Sequence, residues 1–188
     1  MKKHIITISG RPGSGKSSTA NKVALELGYK RFSSGDFMRD IAVKRGVSLN
    51  ELSALAEKDP SIDESIDNEN KKVGQLENVV VDSRLAFHFI PNSFKVFLDL
   101  PLEISKDRVW QSLENNPLRQ QSEMLTTPEE VLGKLKARLA SEHTRYLDMY
   151  NISYDKSSNF DLVIDTNENN LEQVVEVVLS KYKEWLEN

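Results

Sequence analysis

Residues 10–17 read Gly-Arg-Pro-Gly-Ser-Gly-Lys-Ser, a glycine-rich stretch that leaves few folds open to this chain. The stretch follows the apolar residues 5–9 and precedes a helical pattern. It therefore matches G-x-x-x-x-G-K-[ST] in the strand–loop–helix context in which that pattern binds phosphate. Glycines let the backbone turn its N–H groups toward an anion, and the following helix presents its positive N-terminal dipole. The stretch predicts a site for a nucleoside triphosphate with magnesium.

The polar side chains of this loop have separate expected roles. Lys16 reaches the β- and γ-phosphates, and the Ser17 hydroxyl ligates Mg²⁺. An ordinary glycine-rich turn is the alternative, but it would not require a lysine and a serine at these two positions. The residues expected to bind the triphosphate are Gly10, Arg11, Pro12, Gly13, Ser14, Gly15, Lys16, Ser17 and Ser18.

Length and charge narrow the range of partners. A chain of 188 residues is expected to form one domain. Its net charge of -4 argues against nonspecific nucleic-acid binding, and the absence of cysteine excludes disulfides and thiolate metal sites. There is no apolar run of membrane-spanning length, and the N-terminal segment is too short for a signal peptide. We expect a cytoplasmic monomer or weak homodimer with no nucleic-acid or membrane partner.

Strand and helix patterns alternate along the chain, which predicts an α/β fold with a parallel sheet covered on both faces. Short apolar runs predict five strands, at residues 5–9, 29–32, 79–82, 94–100 and 162–164. Only helical patterns separate the second strand from the third. Helix starts are predicted at a capping box, at an Asp-Pro pair and at a Thr-Pro-Glu-Glu segment, which lie at residues 48–51, 59–60 and 127–130.

Two acidic residues end apolar strands and are candidates for a magnesium ligand. Asp82 ends the third strand, where an acid can hold Mg²⁺ beside the loop serine. Asp99 ends the fourth strand, but Pro101 follows so closely that Asp99 is expected to shape a turn instead. The alternative for Asp82 is a turn-capping role.

Arginine placement is a second signal, because cations stabilise the charge that develops during phosphoryl transfer. Arg138 and Arg145 are seven residues apart on one predicted helix and so point the same way, with Glu142 between them and able to orient either. Arg39 and Arg84 follow the second and third strands, at the edge where open α/β sheets bind ligands. A solvated surface arginine is the alternative for each of them.

Three further charged residues are candidates on weaker grounds. Asp63 and Asp67 are four residues apart on one predicted helix face. They could accept hydrogen bonds from a base amino group or from ribose hydroxyls, and a solvated acidic face is the alternative. Arg108 lies on the helix that enters an irregular, polar segment, and it too has a solvated alternative.

The loop, residues 33–39 and the late arginine-bearing helix together resemble the nucleoside monophosphate kinases. In that family a Ser-Thr-Gly-Asp-x-x-Arg segment follows the second strand, and its arginine grips the acceptor phosphate. Here Ser34 replaces the threonine and Arg39 takes the place of the arginine. The similarity covers nearly the whole chain and is greatest to the short, archaeal-type cytidylate kinases, through residues 59–67, 82–86 and 138–146.

The resemblance implies a P-loop kinase fold with a five-stranded parallel sheet flanked by helices. Within one domain, the core would comprise residues 1–33, 77–110 and 127–188, the helical monophosphate-binding insert 34–76 and the lid 111–126. ATP would be the donor, with Mg²⁺, and CMP or dCMP the acceptor. The implied substrate-binding residues are Ser34, Asp36, Arg39, Asp63, Asp67 and Arg84. The implied catalytic residues are Lys16, Arg108, Arg138 and Arg145, and the implied metal ligands are Ser17 and Asp82.

Departures from the family keep three alternatives open. Arg11 stands where such loops often have proline, and the predicted lid offers only Arg119 to the donor phosphates. The alternatives are a kinase of another acceptor (UMP, AMP, shikimate or gluconate), a nucleotide-dependent switch or ATPase, and a non-catalytic partner-binding protein. The segment Asp82-Ser83-Arg84 lacks the longer Asp-Gly-Phe-Pro-Arg sequence of adenylate kinases, which counts against AMP. It also lacks the glycine of a GTPase switch.

Overall fold

Five parallel strands form the centre of the computed structural model, which describes residues 2–115 and 127–188, except for the side chains of residues 49 and 50. In chain order, β1 to β5 are Ile5–Gly10, Lys30–Ser33, Val79–Asp82, Phe94–Asp99 and Leu162–Asp165. Their order across the sheet is β2-β3-β1-β4-β5, and every neighbouring pair is parallel. The predicted five-stranded parallel sheet is therefore confirmed.

Helices connect the strands and cover both faces of the sheet. In chain order, α1 to α8 are Lys16–Leu27, Ser34–Arg45, Leu49–Ala56, Ser61–Val73, Ala86–Phe89, Leu102–Glu114, Pro128–Tyr150 and Leu171–Glu187. A short 3-10 helix, Ser157–Asn159, precedes β5.

Burial of both sheet faces explains why the central strands are continuously apolar. Ile6 and Ile8 of β1 belong to the apolar cluster that includes residues of α1 and α8. Ile5 belongs to a second cluster with Val79 and Val81 of β3 and residues of α4 and α5. All six residues of β1 are buried, as a central strand between two helical layers requires.

Local sequence signals place most element ends within one or two residues. Ser48 and Thr127 each form the predicted capping box, with the glutamate three residues later. The Asp-Pro start is displaced by one residue, because α4 begins at Ser61 and not at Pro60. The carboxylate of Asp59 still accepts a hydrogen bond from the Ser61 amide at 3.2 Å. The four-residue helix α5 was not predicted.

The connection from β2 to β3 consists of α2, α3 and α4, with no strand between residues 34 and 78. Division of the chain into core, insert and lid stays a prediction. Residues 111–114 of the predicted lid lie in α6, and residues 116–126, including Arg119, fall outside the described residues. Among the helices that the structure describes, none combines the length and the hydropathy needed to cross a membrane.

Candidate active site

The glycine-rich loop is held against β4 and α6 by close contacts. A Cβ atom at Gly10 would overlap the carbonyl oxygen of Leu98 on β4, so only glycine lets the two strands approach this closely there. The Arg11 amide donates to that same carbonyl at 3.1 Å. On α6, the Ser105 hydroxyl donates to the Pro12 carbonyl at 2.8 Å. These contacts hold the backbone of the loop against β4 and α6.

The first turn of α1 offers its backbone amides to an anion. Its N-cap is Gly15 in a left-handed conformation, with no side-chain cap among the described residues and no acidic residue in the first turn. In the described part of the chain, the N-termini of α4, α5 and α6 also lack a side-chain cap, whereas α2, α3, α7 and α8 are capped by Ser33, Ser48, Thr127 and Asn170. Uncapped amides at a helix N-terminus bind phosphate, so this loop fits the triphosphate that the motif predicts.

Lys16 places a half-buried ammonium over this loop. Its Nζ donates to the carbonyl oxygens of Gly10 and Arg11 at 3.0 and 2.8 Å. Burial, followed by the nearby charge of Arg84, lowers the Lys16 pKa to about 7, although Asp82 acts in the opposite direction. An anion beside this ammonium would favour its charged form.

Asp82 ends β3 beside the loop serine, as predicted. The Ser17 hydroxyl donates to Asp82 Oδ2 at 2.6 Å, and Arg31 NH2 donates to the same oxygen at 3.2 Å. A hydroxyl and a carboxylate are hard oxygen donors that suit Mg²⁺, which takes its remaining ligands from water and substrate phosphates. Asp99, the competing candidate, instead accepts from Arg11 Nε at 2.9 Å.

A cleft of about 410 Å³ lies between the loop, α2, α4, α6 and α7. Among the described residues, six cationic and four acidic side chains line it. They are Lys16, Arg39, Arg84, Arg108, Arg138 and Arg145, with Asp63, Asp67, Asp82 and Glu142. The cleft thus carries a cationic excess in a chain whose net charge is -4, which suits anionic ligands.

The two arginines of α7 both line the cleft, as their spacing predicts, but they have different partners. Glu142 Oε1 accepts from Arg138 Nε at 2.9 Å and pairs with Arg84 NH1 at 2.8 Å. Arg145 NH1 instead pairs with Asp63 Oδ2 at 2.5 Å. Burial opposes ionisation of Glu142, but Arg84 and Arg138 outweigh it and hold its pKa below the usual value. A carboxylate thus fixes two guanidiniums at one wall of the cleft.

The acidic pair on α4 is not a solvated acidic face, because Asp63 and Asp67 are each only 5% exposed. Burial raises the pKa of both carboxyls, that of Asp67 to about 6, and the Tyr150 hydroxyl donates to Asp67. One turn further along, Asn70 Oδ1 accepts from Ser34 Oγ at 3.3 Å. The Asn70 Nδ2 is buried and has no partner among the described residues. This helix therefore places both hydrogen-bond acceptors and a hydrogen-bond donor along the cleft.

A family model described as cytidylate kinase-like matches residues 5–168. The chain belongs to the cytidylate kinase-like family. A cytidylate kinase from Methanocella arvoryzae is 38% identical over 164 residues, which are 87% of each chain. Another, from Archaeoglobus fulgidus, is 36% identical over 176 residues, 93% of this chain and 92% of the relative. The resemblance drawn from the sequence is confirmed.

Solved structures support the fold of this family member. A shikimate kinase from Bacteroides thetaiotaomicron superposes with a TM-score of 0.62, covering 98% of each chain at 15% identity. At that identity the likeness shows the fold alone, which is the predicted P-loop kinase fold. The kinase relatives and the family model make the chain a phosphotransferase.

The cleft lining leaves out four of the expected site residues, Gly10, Arg11, Ser14 and Asp36, but includes Arg108. The Arg11 side chain turns to Asp99 and Asp155, and Ser14 is buried within the loop. Asp36 is paired with Arg31 and Arg39. The NH2 group of Arg108 donates a hydrogen bond to the Thr166 carbonyl at 2.7 Å. The roles of all the expected site residues toward nucleotides stay predictions.

The raised pKa of Asp67 has a measurable consequence for stability. Between the ordinary value of 3.8 and about 6, the folded protein holds a proton that the unfolded chain has lost. Raising the pH through this window therefore lowers the free energy of unfolding. Relative to Asp67→Asn, the natural protein should lose on the order of 2 kcal/mol between about pH 4 and pH 6. Urea unfolding of both proteins across this range tests the prediction, which parallel pH curves would contradict.

Proposed function

We propose that this chain transfers the γ-phosphoryl group of ATP to CMP or dCMP, with Mg²⁺, yielding ADP and CDP or dCDP. The observation that carries the proposal is the single cleft in which the phosphate loop faces a second set of cations, Arg39, Arg84, Arg138 and Arg145. One set of cations suffices to bind a nucleotide, whereas two sets facing each other bring two anionic substrates together. The choice of CMP or dCMP as the acceptor rests on the cytidylate kinase relatives.

The loop and the start of α1 bind the donor in this reaction. The free amides after Gly15 hold the β-phosphate region, and the Lys16 ammonium contacts the transferring group. Ser17 and Asp82 would hold Mg²⁺, which would offset the charge of the donor phosphates.

Arginines on the other side of the cleft fix the acceptor and the group in flight. Arg39 and Arg84 bind the acceptor phosphate through their planar, forked donors. Arg138 and Arg145 neutralise the charge that accumulates between donor and acceptor. A general base is not required, because a phosphate acceptor is already ionised near neutral pH. Closure of the insert and lid over the site would exclude water and limit ATP hydrolysis.

The groups along α4 favour a cytosine base over uracil. Cytosine presents an amino donor beside ring-nitrogen and carbonyl acceptors, whereas uracil presents a carbonyl in place of the amino group. The Asp67 carboxyl can accept from the amino group, and the unpartnered Asn70 Nδ2 can donate to the ring. Buried polar groups of this kind discriminate strongly, because the wrong base leaves them unpaired.

Other acceptors and a non-kinase role receive less support. The shikimate kinase likeness concerns the fold only, at 15% identity. A switch or ATPase has no use for the acceptor-side arginines, and a non-catalytic protein has no use for the paired Ser17 and Asp82. A cytoplasmic location fits a reaction that consumes ATP and a nucleoside monophosphate, and a monomer or weak homodimer remains the expected state.

A coupled assay of ADP release against CMP, dCMP, UMP, AMP, GMP and dTMP tests this proposal. Turnover with CMP or dCMP should exceed that with AMP by at least about 100-fold in kcat/KM, given the discrimination that buried hydrogen-bonding groups provide. ATP consumption that does not depend on any monophosphate would point to an ATPase. No turnover across the whole panel would move the assignment to a metabolite kinase.

Arg39→Ala should impair use of the acceptor far more than binding of ATP. The guanidinium lines the cleft, and its loss removes a charge-assisted bond to the acceptor phosphate. We expect kcat/KM for CMP to fall by about 100-fold, while the Kd of an ATP analogue at saturating Mg²⁺ changes less than about twofold. Arg45→Ala on the same helix, whose partner is the exposed Asp59, serves as control. Equal losses for both substrates would refute the role of Arg39.

A further inference from the structure

Five side chains form a continuous path from the acceptor side of the cleft to the phosphate loop. Arg39 donates to Asp36, and Arg31 NH1 donates to the other oxygen of Asp36 at 3.1 Å. Arg31 NH2 donates to Asp82 Oδ2 at 3.2 Å, and the Ser17 hydroxyl donates to the same oxygen at 2.6 Å. Charges alternate from Arg39 to Asp82, so Asp36, Arg31 and Asp82 are each held by two neighbours.

Arg31 is the link between the two ends of this path. Its fork is divided between two carboxylates, one on α2 and one at the end of β3. The Nε of Arg31 is buried and has no partner among the described residues. A guanidinium has a rigid plane, so Arg31 cannot move closer to Asp36 without weakening its bond to Asp82.

The two ends of the path differ in strength. Arg39 and Asp36 are 55% and 53% exposed, and ion pairs in such positions are weak. An acceptor phosphate can therefore take Arg39 from Asp36 at little cost. Asp82 is only 7% exposed, so its pair with Arg31 is far less solvated. Arg31 and a divalent cation would compete for the same Asp82 oxygen.

We propose that Arg31 is a positioning residue that couples binding of the acceptor phosphate to the metal site. When the acceptor takes Arg39, Asp36 draws Arg31 toward itself, and Asp82 Oδ2 becomes available beside Ser17. This inference rests on the proposed function, since it uses the acceptor phosphate at Arg39 and Mg²⁺ at Ser17 and Asp82. Thermodynamic coupling is reciprocal, so Mg²⁺ bound with the donor would tighten binding of the acceptor equally.

Calorimetric titrations with a non-hydrolysable ATP analogue over a series of free Mg²⁺ concentrations test the coupling. For each protein, the titrations give the free Mg²⁺ concentration at which the increase in affinity for the analogue is half-maximal. This concentration is measured without and with saturating CMP. In the natural protein CMP should lower this concentration about fivefold, the smaller end of typical coupling. In Arg31→Met this Mg²⁺ concentration should already be low without CMP, and CMP should change it less than about twofold. Asp36→Asn should stay at the high concentration with or without CMP, because Arg31 then has only Asp82.

Arg45→Met is the matched control, since it also replaces an arginine by methionine, on α2 at an exposed pair with Asp59. This variant should behave like the natural protein. If Arg31 had a merely structural role, the Mg²⁺ requirement would shift in the same direction in Arg31→Met and Asp36→Asn. The effect of CMP on that requirement would then remain intact. That result, or a natural protein in which CMP does not change the Mg²⁺ requirement, overturns the inference while the proposed function stands. Failure to bind both the analogue and CMP would overturn the proposed function and this inference together.

Discussion

Lys16→Met lowers the rate of phosphoryl transfer to CMP by about 1,000-fold or more, and the fold remains intact. The ammonium is the one loop cation that can contact the transferring group, and methionine keeps most of the apolar stem while removing the charge. Burial and Arg84 already oppose the charge of Lys16, so its loss should leave the unfolding temperature unchanged or raise it slightly.

Steady-state ADP release and thermal unfolding of the Lys16→Met protein check both parts of this prediction. Lys22→Met on the same helix is the control, because Lys22 lies outside the cleft and pairs with Glu172. A Lys16→Met protein with near-natural turnover would remove the loop lysine from the mechanism. An inactive protein that also unfolds early would assign Lys16 a structural role instead.

Glu142→Leu should lower the free energy of unfolding by about 3 kcal/mol, because it leaves Arg84, whose side chain is only 14% exposed, without its carboxylate. It should also reduce turnover, since Arg84 and Arg138 lose the shared oxygen that fixes their positions. Urea unfolding at neutral pH measures the first effect, and initial rates with CMP measure the second.

A double-mutant cycle separates loss of this pair from disruption of α7. Arg84→Met combined with Glu142→Leu removes both buried charges, so the double variant should regain stability relative to Glu142→Leu alone. Asp148→Leu, at an exposed position of the same helix, should change stability by less than about 0.5 kcal/mol. Additive losses in the cycle would show that Arg84 and Glu142 do not depend on each other.

Local patterns predicted the sheet well, because each signal sits within a few residues. The loop, the capping boxes at Ser48 and Thr127, and the apolar strands are all readable from neighbouring positions. The start of the late helix followed from its Thr-Pro-Glu-Glu segment. The short helix α5 has four residues, too few for a helical period to be visible.

Within the site, spacing predicted that Arg138 and Arg145 would share a face, but it could not predict their partners. On a helix, Glu142 lies within reach of either arginine. Arg145 pairs instead with Asp63, which is 82 residues away in sequence and is brought close only by tertiary packing. The pairing of Tyr150 with Asp67 spans 83 residues and has no local signature.

Arg31 and Asn70 were missed for the same reason. The bond from Arg31 to Asp82 joins residues 51 positions apart. The available signal was the period of a strand, which places Arg31 on the same face of β2 as Ser33. For Asn70 the signal was helical spacing from Asp63 and Asp67.

A crystal structure of the protein with Mg²⁺, a non-hydrolysable ATP analogue and CMP tests the central claim most directly. We expect the terminal phosphate of the analogue within hydrogen-bonding distance of Lys16 Nζ. The CMP phosphate should lie on Arg39 and Arg84, with one oxygen in line with the terminal phosphorus, and the cytosine should lie against Asp67 and Asn70. A triphosphate bound away from the loop, or a CMP phosphate that contacts none of the cleft arginines, would contradict the account.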